Sequence, residues 1–198
     1  MTGLREQIQS SLRGRVCFLG LGNVDGGDDG FGVRLAEALA RGGAPDVVIG
    51  GTAPEQVAGR CAGGGFDHLV FLDAADFGAA PASVVFLNSQ EMAARFPQVS
   101  THRLSLGLLA MCVESGGTTR AWLLGAQPAS LKPAPALSPA LQTTLAILAE
   151  LIGNILSGKE SVLVGRARTA RAPRRAEDCP PCLAQTKLTH PFSEAIET

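Results

Sequence analysis

Apolar residues along this chain fall into two kinds of pattern, and the two alternate. Short continuous runs mark buried strands: RVCFLGL (15–21), DVVIGG (46–51), HLVFLDA (68–74), SVVFL (83–87) and RAWLLGA (120–126). A run of four to eight such residues between turn formers fits a strand covered on both faces. Windows with helical spacing lie between them. Phe31, Leu35 and Leu39 set a helix from about 29 to 40, and APEQVAGRCA (53–62) reads as a second. STHRLSLGLLAMCVES (100–115) predicts a third, with Ser100 or Thr101 as its expected cap. Ser138 followed by Pro139 opens the last, along which Leu141, Leu145, Leu148, Ile152 and Ile155 share one face up to Gly158.

Strands interleaved with helices predict an α/β fold, a three-layer sandwich with a mainly parallel twisted sheet flanked by helices. The core is expected over 15–158. Beyond it, 159–198 changes character: GRARTARAPRRAEDCPPCLAQ is basic, proline-bearing and aperiodic, which predicts a flexible tail.

Composition narrows the class. Hydrophobic residues at 45% and charged residues at 18% describe a globular chain, and a net charge of −1 gives no reason to expect nucleic acid or an anionic membrane as partner. The opening MTGLREQIQSSLRGR lacks the apolar core of a signal peptide. The greasiest stretch, LAILAELIGNIL (145–156), is short for a bilayer and carries Glu150 and Asn154. Five cysteines, an odd number, suit a reducing compartment, so a cytoplasmic protein is expected. Cys17, Cys61 and Cys112 sit in apolar runs and read as small core residues. A single Cys-x-x-Cys at Cys179 and Cys182 is a weak metal or redox signal.

Several familiar motifs fail on inspection. A dinucleotide-binding turn from Gly20 would need glycine where Asp25 stands, and an acid there repels a pyrophosphate. A calcium loop begun at Asp25 would place Ala36 where a bidentate Glu belongs. No G-x-x-x-x-G-K loop and no G-x-S-x-G elbow occur, and the DFG at Asp76–Gly78 has no companion kinase motifs.

One constellation survives. GNVDGGDDGFG (22–32) puts Asp28 and Asp29 just after the first strand, Asp73 ends the HLVFLDA strand, and His102 opens the helix expected after SVVFL. An open α/β sheet binds ligands beyond the carboxyl ends of its strands, so parallel strands would bring these groups to one edge. Two carboxylates and an imidazole suit a divalent transition metal with positions left for water or substrate. Without a cation, two close carboxylates would share a proton. Taken singly, each residue also has an ordinary use: Asp28 or Asp29 as a helix cap, Asp73 and Asp76 as turn formers, His102 as a surface or capping residue, Asp25 as a solvated loop acid.

Taken together, the motifs resemble the nickel–iron hydrogenase maturation endopeptidases. GLGNVDGGDDGFGVRLAEAL is similar to that family's opening, GGTAPE to its Gly-Gly-Thr segment, VFLDAADFG to its second acidic motif and STHRLSLGLLA to its histidine motif. The likeness covers about 15–157. It implies a phosphorylase/hydrolase-like sandwich and an endopeptidase that removes a C-terminal extension from the precursor of the hydrogenase large subunit after nickel insertion. It also implies Asp29, Asp73 and His102 as metal-binding and catalytic residues, Gly50, Gly51 and Thr52 as substrate recognition, nickel supplied by the precursor, no organic cofactor, and a monomer. Asp29 or Asp73 could serve as general base; a non-cleaving nickel-dependent chaperone for the same precursor and a flavodoxin-like binding domain are the alternatives. VDGG, which partly replaces the family's usual apolar residues after Gly-Asn, and the long tail depart from the family pattern.

Overall fold

The computed structural model describes residues 3–96 and 105–158, and the backbone of 174–175. Its strands are β1 (Val16–Leu21), β2 (Val47–Gly51), β3 (His68–Ala74), β4 (Val84–Asn88), β5 (Arg120–Ala126) and the two-residue β6 (Arg174–Arg175). The helices are α1 (Leu4–Ser11), α2 (Phe31–Arg41), α3 (Glu55–Ala62), α4 (Ser89–Arg95), α5 (Leu106–Ser115) and α6 (Pro139–Leu156), with a 3-10 turn over Gly27–Gly30 leading into α2. The sheet order is β4-β5-β3-β1-β2-β6. All neighbours pair in parallel except β4, which runs antiparallel to β5.

Strand side chains alternate between faces, and the core divides accordingly. Cys17, Leu19, Leu69, Phe71 and Leu123 pack with α3, α4 and α5 through Val57, Met92, Leu109 and Val113. Phe18, Val70, Leu72 and Leu124 pack with α2 and α6 through Phe31, Leu35, Leu141, Leu148 and Ile152. The expected three-layer sandwich is therefore the fold. Ile8 of α1 is buried in the second cluster, so residues ahead of 15 contribute to the core. By length and composition alone α6 is long and apolar enough to cross a membrane, but its Leu141, Leu148 and Ile152 are committed to the sheet.

Several expectations need correction. β4 is antiparallel, so its carboxyl end, Asn88 opposite Trp122, faces the amino edge of the parallel strands. A helix, α4, follows β4 at once; its residues are mostly polar, and its start is set by Asn88, whose Oδ1 accepts from Glu91 N while Glu91 Oε2 accepts from Asn88 N, both at 2.9 Å. α5 begins at Leu106, and its cap is Ser105, whose Oγ accepts from Leu108 N at 3.2 Å, rather than Ser100 or Thr101. Cys17 and Cys61 are buried, but Cys112 is exposed. The α5 sequence is apolar on every side, which hides from the pattern that Leu108, Met111 and Cys112 form its outer face. The Cys179/Cys182 pair and nearly all of 159–198 lie outside the described residues.

Candidate active site

The segment after β1 is folded back upon itself by glycine. Gly22 has φ +105°, and a β-carbon there would overlap the carbonyl oxygen of Asp29. Only a residue without a side chain lets the 3-10 turn sit so close to the strand end. Asn23 N then donates to Asp29 Oδ2 at 2.9 Å, and Asn23 Oδ1 accepts from Asp25 N at 3.0 Å. Asp25 itself is exposed, as a solvated loop acid should be. The second oxygen, Asp29 Oδ1, is buried and accepts no hydrogen bond among the described residues. A buried carboxylate oxygen without a donor is costly to maintain and is open to a cation.

Asp73 is the penultimate residue of β3 and is only 3% exposed. Parallel pairing sets Leu72 beside Gly20 of β1, and Asp73 beside Gly125 of β5. Strand alternation puts Asp73 on the face of Leu69 and Phe71. The start of α2 is pressed onto these same strand ends: a β-carbon on Gly32 would overlap the carbonyl oxygens of Leu72 and Leu21. Asp29 and Asp73 thus come from the carboxyl ends of two adjacent parallel strands, with one glycine contact fixing the distance between turn and sheet.

The Gly-Gly-Thr segment reaches that edge too. β2 pairs Gly51 with Leu21, Gly22 N donates to Gly51 O at 3.0 Å, and Thr52 is exposed just beyond. Gly50 lies inward of it, where a β-carbon would meet Leu19 Cδ1 at 2.9 Å.

His102 lies outside the described residues. In sequence it stands three residues before Ser105, the cap of α5. Near the other end of α5, Glu114 accepts from Ala121 N at 3.0 Å and from Ser89 Oγ at 2.6 Å, close to the amino end of β5. With a rise of about 1.5 Å per residue, the Ser105 end of α5 points toward the carboxyl edge. Among the described residues no group of three or more His, Cys, Asp or Glu is gathered at metal-binding range.

Two further acids are held by bonds the sequence did not disclose. Asp28 does not cap α2; its carboxylate is buried and accepts from Ala129 N, Ser130 N and Ser138 N at 2.8, 3.4 and 2.6 Å. Asp76 forms the turn expected of it, accepting from Gly78 N at 3.1 Å and also from Gln127 Nε2 at 3.0 Å. The Gln127 bond, and then that of Gly78, hold the Asp76 carboxyl below its ordinary value. Gln127 Oε1 accepts from Phe77 N and Ala79 N, so this buried amide organises the loop that follows Asp73. No sequence signal marked Gln127, because its partners are about fifty residues away.

Comparison with known proteins agrees with this fold. The sequence model of the family HycI, hydrogenase maturation protease, matches residues 33–155. The hydrogenase 2 maturation protease of Escherichia coli K12 is 34% identical over 139 residues, covering 66% of this chain and 84% of that protein. The hydrogenase expression/formation protein HupM of Azotobacter chroococcum is 35% identical over 153 residues, 68% of this chain and 72% of its own length. Among solved structures, the nickel–iron hydrogenase maturation protease HycI of Thermococcus kodakarensis superposes with a TM-score of 0.68 at 31% identity, covering 76% of this chain and 99% of that one. The maturating endopeptidase HybD of Escherichia coli gives 0.61 at 28% identity, covering 73% and 94%. An α/β sandwich with two acids at one sheet edge, matched by sequence and by structure over most of its described length, belongs to the hydrogenase maturation protease family and is a peptidase.

Proposed function

We infer that this protein removes the C-terminal extension of a nickel-loaded hydrogenase large-subunit precursor by metal-dependent hydrolysis. The observation that carries the reading is the placement of Asp29 and Asp73 at the ends of adjacent strands, with Asp29 Oδ1 buried and without a donor among the described residues. Oxygen donors of this kind suit a divalent transition metal, and an oxygen kept free of hydrogen bonds is available to one. The nickel belongs to the substrate. It arrives in the precursor, and Asp29, Asp73 and His102 complete its surroundings when the two proteins dock. The metal supplies polarisation of the scissile carbonyl or of a bound water. Water adds to the carbonyl carbon, the C–N bond breaks, and the proton lost by water passes to the departing amine through Asp29 or Asp73 as general base. The partly exposed segment Gly50, Gly51 and Thr52, with Thr52 outermost, offers the precursor a polypeptide-binding rim beside that bond.

Such a division of ligands makes cleavage conditional on insertion, because neither partner alone holds the ion fully. The family names of the relatives support the substrate class. We place the reaction in the cytoplasm and the enzyme as a monomer, with neither nucleic acid nor membrane as partner. The test is to incubate the purified protein with nickel-loaded precursor and read the intact mass of the large subunit. Loss of the C-terminal peptide supports the protease; a stable complex of unchanged mass would overturn it in favour of a non-cleaving chaperone.

A further inference from the structure

Asp28 is a carboxylate removed from water, only 4% exposed, and it serves neither α2 nor, in the reading above, the metal. Its three donors come from the two ends of one loop. Ala129 and Ser130 open the connection between β5 and α6, and Ser138 closes it as the N-cap residue of α6. The span between is exposed from 129 to 136 and carries Pro133 and Pro135. It also touches the 3-10 turn directly: Gly27 has φ +64°, and a β-carbon there would stand 2.8 Å from Ala134 Cβ. Asp28 is flanked by Gly27, against which the loop lies, and Asp29, which presents the unpaired Oδ1. Asp29 is steadied on its other side by a single bond from Asn23 N.

We propose that Asp28 is a positioning residue, whose buried carboxylate clamps the 129–138 loop onto the Gly27–Gly30 turn and thereby fixes the direction in which Asp29 presents its free oxygen. This deepens the proposed function, since it assumes that Asp29 takes part in cleavage. The chemistry requires a carboxylate. Three backbone N–H groups converge on two anionic oxygens, one of them at the positive end of α6. Asparagine offers one acceptor oxygen, and its amide N–H would face a backbone N–H. The clamp would open on at least one side, and the turn would lose its support beneath Asp29. A displacement of about an ångström at a catalytic group can lower turnover by about a hundredfold without weakening substrate binding.

The test compares Asp28→Asn with the wild type and with Ile152→Val. Ile152 is a buried residue well down α6, and its truncation lowers stability without touching the turn. In Asp28→Asn, hydrogen exchange should quicken at the amides of Ala129 and Ser138 and also at Asn23, the donor to Asp29. Precursor cleavage should show kcat reduced about tenfold or more with KM within about twofold, while Ile152→Val keeps wild-type kcat. Should Asp28→Asn not fold, Asp28→Glu retains both acceptors on a longer arm and is predicted to give a smaller loss of the same kind. Unchanged exchange at Asn23 when the loop amides are released, or a kcat loss matched by Ile152→Val, would overturn the proposal. A wild type that does not cleave at all would defeat the functional reading, yet the exchange comparison would still decide whether the clamp reaches Asn23.

Discussion

At the scale of single residues, neighbouring acids are told apart by what their oxygens meet. Asp28 meets three backbone N–H groups, whereas Asp29 meets one and leaves an oxygen bare. The sequence shows that an acid-acid-Gly turn follows a strand, and so marks the place. It does not show which acid faces inward, because the donors to Asp28 lie more than a hundred residues away. Gly32 makes a sharper case. Alanine in a helix ordinarily stabilises by about 0.5–1 kcal/mol relative to glycine, but here its methyl would meet the carbonyl oxygens of Leu72 and Leu21. We expect Gly32→Ala to reverse the sign and destabilise by roughly 1–3 kcal/mol, measured by urea unfolding. His68 gives a pH prediction. Burial lowers its pKa below the ordinary imidazole value, against the smaller pulls of the Arg13 backbone bond and then of Asp67, and with a minor push from Arg120. Trp122 Nε1 donates to His68 Nδ1 at 3.0 Å, a bond that needs that nitrogen unprotonated. A lowered folded-state pKa means that the unfolded chain takes up the proton first. The stabilisation is therefore full above the unfolded value and declines as pH falls through it. Thermal midpoints should drop between about pH 7 and pH 5, and His68→Gln should flatten part of that slope.

At the scale of elements, continuous apolar runs located all five longer strands, because strands buried on both faces leave no other pattern. Orientation was not legible. Nothing in SVVFL says that β4 runs against its neighbour, and its antiparallel course comes from the turn at 75–83 and from packing such as the stacking of Phe86 on Trp122 at 4.9 Å. α4 escaped notice because only Met92 is a large apolar residue in SQEMAAR. Its start was nevertheless written in the sequence as Asn88 with Glu91 three residues on, a reciprocal cap. Asn88→Ala is expected to cost about 1 kcal/mol, read as a shift in the urea midpoint with unchanged slope. Because β4 and α4 lie at the edge of the sheet away from β1, cleavage activity at saturating precursor should hardly change.

At the scale of the whole molecule, parallel strands with a tight glycine-built turn bring the ends of β1, β2 and β3 to one edge. That much was legible, since sheet topology follows from alternating strands and helices and sites follow from the carboxyl ends. The coordinated arrangement of Gly22, Asp28, Gly32 and Gln127 around those ends was not, because each acts through contacts distant in sequence. The account stands on the two acids at that edge carrying the chemistry. Its most direct test is the intact mass of the nickel-loaded precursor after incubation with wild-type protein and with Asp73→Asn, whose folding is first checked by circular dichroism and thermal midpoint. The wild type should remove the C-terminal peptide while folded Asp73→Asn leaves the precursor at full mass; processing by that variant at the wild-type rate would contradict the account.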